Sequence, residues 1–110
     1  MRRGEIWWAE LPKPAGRRPV LLLSRDEAYS VRELVTVAPL TTRIRNIPVE
    51  VHLGKPEGLP RNCVANLDTI TTIPKECLSE RVGMIGAVKL KEIDRGDERS
   101  LLDRQVAGYD

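Results

Sequence analysis

Residues 19–24 read Pro-Val-Leu-Leu-Leu-Ser, and the four consecutive apolar residues Val20, Leu21, Leu22 and Leu23 constrain the fold more than any other stretch. A half-buried strand alternates apolar and polar residues, whereas an uninterrupted run is the pattern of a strand covered on both faces. Such a strand needs neighbours on both edges, and the chain supplies them. Glu5–Glu10 is short and aromatic, bounded by Gly4 and by Leu11-Pro12. Leu34–Ala38 is β-branched and closed by Pro39, and Val49–Leu53 alternates with period two. Cys63–Leu67 and Ile70–Ile73 are two further short strands, and Pro12–Gly16 and Gly54–Pro60 carry turn chemistry. Arg25–Glu33 reads as a loop or a single helical turn, and Pro74–Leu78 as a brief helix. Lys89–Val106 is the one longer helical pattern, with Leu90, Ile93 and Leu101 on a stripe that Gly96 and Asp97 interrupt. Five or six short strands closed by one helix predict a mainly β fold, a small antiparallel barrel filling residues 1–110 as a single domain.

Composition narrows the function. The chain has no Phe, two Trp and two Tyr, so its core is built from Val, Leu and Ile. No apolar run approaches the ~20 residues of a membrane span, and the N-terminus lacks a secretory pattern. The expectation is a soluble, cytoplasmic protein with no membrane partner. Cys63, Cys77 and the lone His52 fall short of the four ligands of a zinc site, so neither metal nor cofactor is expected. The single histidine also excludes a two-histidine ribonuclease, and there is no glycine-rich phosphate loop. The net charge of +2 is small but uneven, with 11 basic against 7 acidic side chains in residues 1–62 and 7 against 9 in the remainder. Lys13–Ser24 contains Lys13, Arg17 and Arg18 with no acid, and Thr41–Val49 contains Arg43 and Arg45 with none. Brought together, the two stretches make an anion-attracting patch.

Three places carry candidate chemistry. Arg17-Arg18 stands at the mouth of the buried run, where rigid backbone holds a charge in place; the competing reading is an ion pair with Asp26, Glu33 or Asp68. Thr41-Thr42-Arg43-Ile44-Arg45 leaves a strand end with two hydroxyls and two guanidinium groups, a composition suited to phosphate oxygens. Its competing reading is a threonine capping its own backbone. Asn66-Leu67-Asp68 is the third, and an Asx-type turn explains it equally well.

In order and spacing, Arg3-Gly4-Glu5-Ile6-Trp7, Arg18-Pro19-Val20-Leu21-Leu22-Leu23-Ser24, Val37-Ala38-Pro39-Leu40-Thr41-Thr42, Pro48-Val49-Glu50-Val51, Val64-Ala65-Asn66-Leu67-Asp68 and Thr72-Ile73-Pro74-Lys75 resemble the MazF/PemK-type toxins of bacterial toxin–antitoxin pairs. The resemblance runs to about Arg95. It implies an SH3-like barrel of the CcdB/PemK kind with a C-terminal helix, working as a homodimer. It also implies a metal-independent, sequence-specific endoribonuclease that cuts single-stranded RNA, messenger RNA first and transfer or ribosomal RNA as further candidates. Attack by the 2′-OH would leave 2′,3′-cyclic phosphate and 5′-OH ends. The family's arginine and threonine fall on Arg18 and Thr41, and Asp68 matches an acid that some members place beside the site. Arg18 would act mainly by stabilising charge on the phosphate, since arginine stays protonated and is a poor base, and Thr41 would donate one hydrogen bond to it. Asp68 or water is the better candidate for the proton, and a general acid/base role for Arg18 is left open. Lys13, Arg17, Thr42, Arg43 and Arg45 would track the RNA. The implied partner is an antitoxin whose acidic C-terminal segment covers the groove. Two alternatives keep the fold and drop the chemistry: a gyrase-inhibitor type of toxin, or a nucleic-acid-binding module. The gyrase poisons use a Trp-Gly-Ile end, and this chain ends Ala107-Gly108-Tyr109-Asp110. The Pro12–Arg17 turn is shorter than in many relatives, which bears on cleavage-site preference. Thr71 stands where many relatives carry Arg and Asn66 where some do, so those base-contact or acid/base roles are not carried over.

Overall fold

The structure, a computed structural model, describes residues 1–94. Seven strands form one curled antiparallel sheet: β1 (Glu5–Glu10), β2 (Arg17–Leu22), β3 (Leu34–Thr41), β4 (Glu50–Leu53), β5 (Cys63–Asn66), β6 (Thr71–Pro74) and β7 (Leu78–Met84). Their order is β4-β5-β3-β2-β1-β7, with β6 also against β3. β3 is the strand on which the sheet turns. Its first half pairs with β6 (Val35 opposite Ile73), its last two residues pair with β5 (Thr41 opposite Val64), and β2 runs along its other edge.

β2 lies where its sequence puts it, between β1 and β3, with Val20, Leu21 and Leu22 at zero exposure. Alternation then divides it between two cores. Leu21 joins Ile6, Leu40, Val51, Leu53, Leu67 and Ile93 on one face of the sheet, while Val20 and Leu22 join Ala9, Tyr29, Val35, Val37 and Ile73 on the other. Full burial of each large aliphatic chain contributes about 1.5–3 kcal/mol, so both faces are needed to hold so thin a sheet. A short helix, α1 (Ala28–Val31), brings Tyr29 into the second core. Residues 87–94 begin the C-terminal helix, which lays Ile93 and Leu90 on the first core. Leu101, Gly96 and Asp97 of the expected stripe lie outside the described residues. No described helix is long and apolar enough to cross a membrane.

The structure corrects the sequence reading at several points. β2 starts at Arg17, so both arginines are strand residues, and β3 continues through Pro39 to Thr41. The brief helix expected at Pro74–Leu78 is a 3₁₀ turn over Lys75–Cys77. β7 has no counterpart in the sequence pattern. It is an edge strand whose Ser79, Glu80 and Arg81 are all exposed, so it shows no apolar alternation, and its partner β1 meets it through two register shifts. Gly83 lets the 3₁₀ turn at Lys55–Glu57 cross it closely, since a Cβ there would stand 2.1 Å from the Glu57 carbonyl oxygen.

Candidate functional site

Antiparallel register governs where the two arginines go. β2 and β3 pair Val20 with Pro39 and their ladder ends there; beyond it Arg18 pairs with Ala9 of β1 and Thr41 with Val64 of β5. Each lies two residues on from the last β2–β3 pair, so alternation puts both side chains on one face of the sheet. Arg17, one residue earlier, faces the other way. Its guanidinium lies 4.8 Å from the centre of the Trp8 ring and within 3.6 Å of Glu10 and 3.8 Å of Glu80.

Arg18 is half-buried, and its Nε donates to the Ala15 carbonyl at 3.2 Å. Ala15 belongs to the tight Pro12–Gly16 turn, closed by Leu11 N–H donating to the Gly16 carbonyl. That single bond aims the side chain and leaves the four terminal N–H groups of the fork for other acceptors. Among the described residues Arg18 has no carboxylate partner, so the ion pairs with Asp26, Glu33 or Asp68 are not formed; Asp26 instead accepts the Arg3 amide at 2.7 Å. Lys13 is exposed in the same turn.

Thr41 ends β3, and its Oγ1 accepts the Arg43 amide at 3.1 Å. The backbone-capping reading is therefore correct, and it does not use up the hydroxyl. Accepting an N–H fixes the rotamer while the O–H proton stays available for donation. Thr41 and Thr42 line a groove of about 250 Å³ whose walls include Trp8, Pro19, Leu40 and Arg61. Two of these are hidden in the sequence. Trp8 belongs to an aromatic strand pair that reads as core more readily than as a stacking face for RNA, yet only Trp7 packs into a core, with its Nε1 donating to Glu5 at 3.1 Å. Arg61 lies among turn residues and carries no local signal.

Beyond Thr42, residues 42–48 are exposed, Arg43 and Arg45 among them. The Glu50 carboxylate gathers this loop. It accepts the Arg45 amide at 3.0 and 3.2 Å and the Asn46 amide at 2.8 Å. Alternation assigns Glu50 to a solvent face, but it is buried at 7% exposure. Ile44, on this loop, also borders a second groove of about 320 Å³ that includes His52, Asn62 and Lys89.

Asp68 stands elsewhere. Thr41 pairs with Val64, and Asp68 follows two strand residues and most of a 3₁₀ turn later, roughly 10 Å along the sheet at ~2–3.3 Å per residue. Its amide donates to Asn66 Oδ1 at 2.9 Å, the Asx-type turn that the sequence offers as the alternative. Within one chain it is therefore remote from Thr41. Cys63 lines the groove but is a poor nucleophile, since burial, and then the charge of Glu57, raises its pKa.

Comparison with known proteins gives the same assignment. Residues 2–98 match the PemK-like, MazF-like toxin of type II toxin–antitoxin systems. Among curated proteins, a probable endoribonuclease MazF5 of Mycobacterium tuberculosis is 38% identical over 92 residues, covering 83% of this chain and 84% of that protein. Endoribonuclease MazF6 of the same organism is 39% identical over 109 residues, covering 90% and 95%. Among solved structures, the M. tuberculosis toxin MazF-mt6 superposes with a TM-score of 0.82 at 30% identity, covering 88% of this chain and 95% of that one. A mycobacterial endoribonuclease in complex with its cognate antitoxin also reaches 0.82, at 27% identity, covering 92% and 94%. With its sequence matched almost end to end and its barrel superposed on theirs, this chain belongs to the PemK/MazF-like toxin family.

Proposed function

We propose that this chain is the toxin of a type II toxin–antitoxin pair and an endoribonuclease that cuts single-stranded RNA through attack of the 2′-OH on the adjacent phosphorus, without a metal ion. The observation that carries the reading is that Arg18 and Thr41 each lie two residues beyond the last β2–β3 pair, Val20 with Pro39, on one face of the sheet. Its relatives at 38–39% identity are named endoribonucleases. As the 2′-oxygen attacks it gives up its proton to water, the bond from phosphorus to the 5′-oxygen breaks and that oxygen takes a proton from water, leaving a 2′,3′-cyclic phosphate and a 5′-OH. Along the way negative charge grows on the non-bridging oxygens. A guanidinium fork can hold two of them, and that interaction strengthens as the charge builds. Thr41 donates its O–H to the same phosphate, with its rotamer already fixed by the Arg43 amide. Arg18 acts through its charge, a guanidinium being a poor base. The 2′-OH is the nucleophile, so DNA is not cut.

Lys13, Arg43 and Arg45 are exposed around this point and track flanking phosphates. Arg17 contributes from the Trp8 face, where it must exchange Glu10 and Glu80 for phosphate. The solved complex of a relative with its cognate antitoxin supports an antitoxin partner. We assign to that partner an extended acidic C-terminal segment over the same basic surface, and to the toxin a homodimeric state.

The test is cleavage of a long single-stranded RNA in EDTA, with ends mapped at nucleotide resolution, for wild type beside Arg18→Ala. Discrete cuts after one short motif, absent in the variant, are expected. Cleavage that survives the substitution would remove Arg18 from its role. RNA bound but never cut, including a randomised pool, would leave a binding module.

A further inference from the structure

We propose that Glu50 is a positioning residue for RNA binding: its buried carboxylate holds the backbone of residues 42–49 in the conformation that presents Arg43 and Arg45 beside Thr41. The proposal rests on the RNA-cleaving reading above and adds to it a residue that never touches the substrate.

The first argument is the state of the carboxylate. Glu50 is 7% exposed, and among the described residues it forms no ion pair. A buried carboxylate without hydrogen bonds is costly. Here its charge is met by the amides of Arg45 and Asn46, three contacts of 2.8–3.2 Å in all. Successive amides converging on one anion form a backbone nest, and Asn46 adopts the left-handed φ of 58° that such turns use. The second argument is that little else holds the loop. Residues 42–48 are all exposed, Ile44 and Ile47 at 36% each, and the first buried apolar side chain is Val49 at the loop's end. The remaining ties are Glu50 N–H to the Ile47 carbonyl at 3.0 Å, Arg43 N–H to Thr41 Oγ1 and, at the loop's last residue, Leu67 N–H to the Val49 carbonyl at 3.1 Å.

The third argument is what the loop carries. Two arginines two residues apart repel each other, and a carboxylate bound to the amides of the same loop offsets that repulsion. Preorganising them removes an ordering cost that RNA binding would otherwise bear. Loss of the latch should therefore weaken binding and leave the chemical step, at Arg18 and Thr41, little changed. Coulombic attraction to phosphate also leaves a signature that general destabilisation does not, namely the dependence of affinity on salt.

The experiment uses the full chain and a single-stranded RNA oligonucleotide spanning the mapped cut, with a 2′-O-methyl group at the scissile nucleotide to block cleavage. Affinity is measured from 50 to 300 mM NaCl for wild type, Glu50→Gln, Glu50→Ala, Arg43→Ala/Arg45→Ala and the triple variant. Turnover of the unmodified RNA and the unfolding midpoint are measured alongside. Glu50→Ala should bind about tenfold more weakly at 0.1 M salt, the cost of ordering one or two loop side chains. The slope of log affinity against log salt should fall by about 0.7 for each phosphate that is no longer neutralised. KM should rise by a similar factor, with kcat within threefold. In the Arg43→Ala/Arg45→Ala background, Glu50→Ala should cost little more, since latch and load act as a unit. Glu50→Gln keeps one acceptor oxygen and should fall between; it carries the test if Glu50→Ala does not fold. A folded Glu50 variant with wild-type slope and affinity would overturn the proposal, as would a loss undiminished when both arginines are gone. Wild-type protein that binds no RNA would instead overturn the function on which the proposal stands.

Discussion

Replacing Thr41 by Val separates chemistry from structure better than any other single substitution. Valine keeps the shape and the β-branch, so the end of β3 retains its strand preference and its pairing with Val64. What is removed is one hydroxyl. Its role as acceptor for the Arg43 amide lies in an exposed loop, where water replaces it. The stability cost is therefore at most ~1 kcal/mol. Its role as donor to the phosphate lies in the transition state, where removal of one such group costs about 2.7–4 kcal/mol, or 10²–10³ in rate. The two magnitudes differ enough to be read apart. Single-turnover cleavage of a fluorogenic RNA in EDTA reads the catalytic cost, and urea denaturation reads the structural one. Thr41→Ser, which keeps the hydroxyl, should stay within about tenfold of wild type. A Val variant that cleaves within threefold of wild type would refute the assignment of Thr41, whatever its stability.

Three further outcomes are expected. Gly83→Ala should destabilise by about 3 kcal/mol, because its Cβ would lie 2.1 Å from backbone at Glu57, and an unchanged urea midpoint would refute that close crossing. At Glu5, burial pushes the carboxyl up, but the bonds from Trp7, the Arg2 amide and Arg81 outweigh it and leave the pKa below 4.5. Its contribution is then complete above pH 4.5 and is lost as pH falls through the lower folded value, so the stability gap between wild type and Glu5→Gln should shrink under acid; a gap constant from pH 7 to pH 3 would contradict this. An acidic peptide should compete with RNA and lose affinity steeply between 50 and 300 mM salt, whereas salt-insensitive binding would argue against a charge-based antitoxin interface.

How much of this the sequence disclosed depends on the kind of signal each residue sends. Val20–Leu22 declared a two-sided strand because burial on both faces forces a continuous apolar run, and both cores grow from it. Arg18 and Thr41 stand out as candidates from their places beside Pro19 and Pro39, and each lies two residues past the last β2–β3 pair, Val20 with Pro39. β7 was not legible, since an edge strand closes the barrel through backbone pairing and leaves Ser79, Glu80 and Arg81 in solvent. Glu50 is hidden for the opposite reason. Period-two alternation assumes that a polar residue faces water, and it has no means of seeing a loop fold back to supply amides. Arg61 and Trp8 are brought to Thr41 by the curl of the sheet, which no local pattern encodes.

The first matched block, Arg3-Gly4-Glu5-Ile6-Trp7, shows that the family signature mixes two kinds of residue. Arg3, Gly4 and Glu5 of this block tie the start of the chain to different remote segments. Arg3 donates to the Leu23 carbonyl and pairs with Asp94 at 2.9 Å, bringing the C-terminal helix against the end of β2. Gly4, at φ +93°, exchanges backbone bonds with Leu22 and Ile85, and a Cβ there would press on the Ile85 side chain at 3.2 Å. Glu5 links the Trp7 indole to Arg81 on β7, and Ile6 is fully buried. Most of these contacts point inward or along the sheet, and the Arg3–Asp94 pair lies at the surface, so the block is a set of staples. The Arg18 and Thr41 side chains bond only locally, to the Ala15 carbonyl and the Arg43 amide, while their backbones take part in the ladders with Ala9 and Val64. The two sets are separable in principle: a chain that kept Arg3 to Trp7 and lacked Arg18 and Thr41 should fold, superpose on these toxins and cut nothing. Fold similarity alone therefore supports the barrel, and the claim to chemistry rests on the two residues that the barrel does not need.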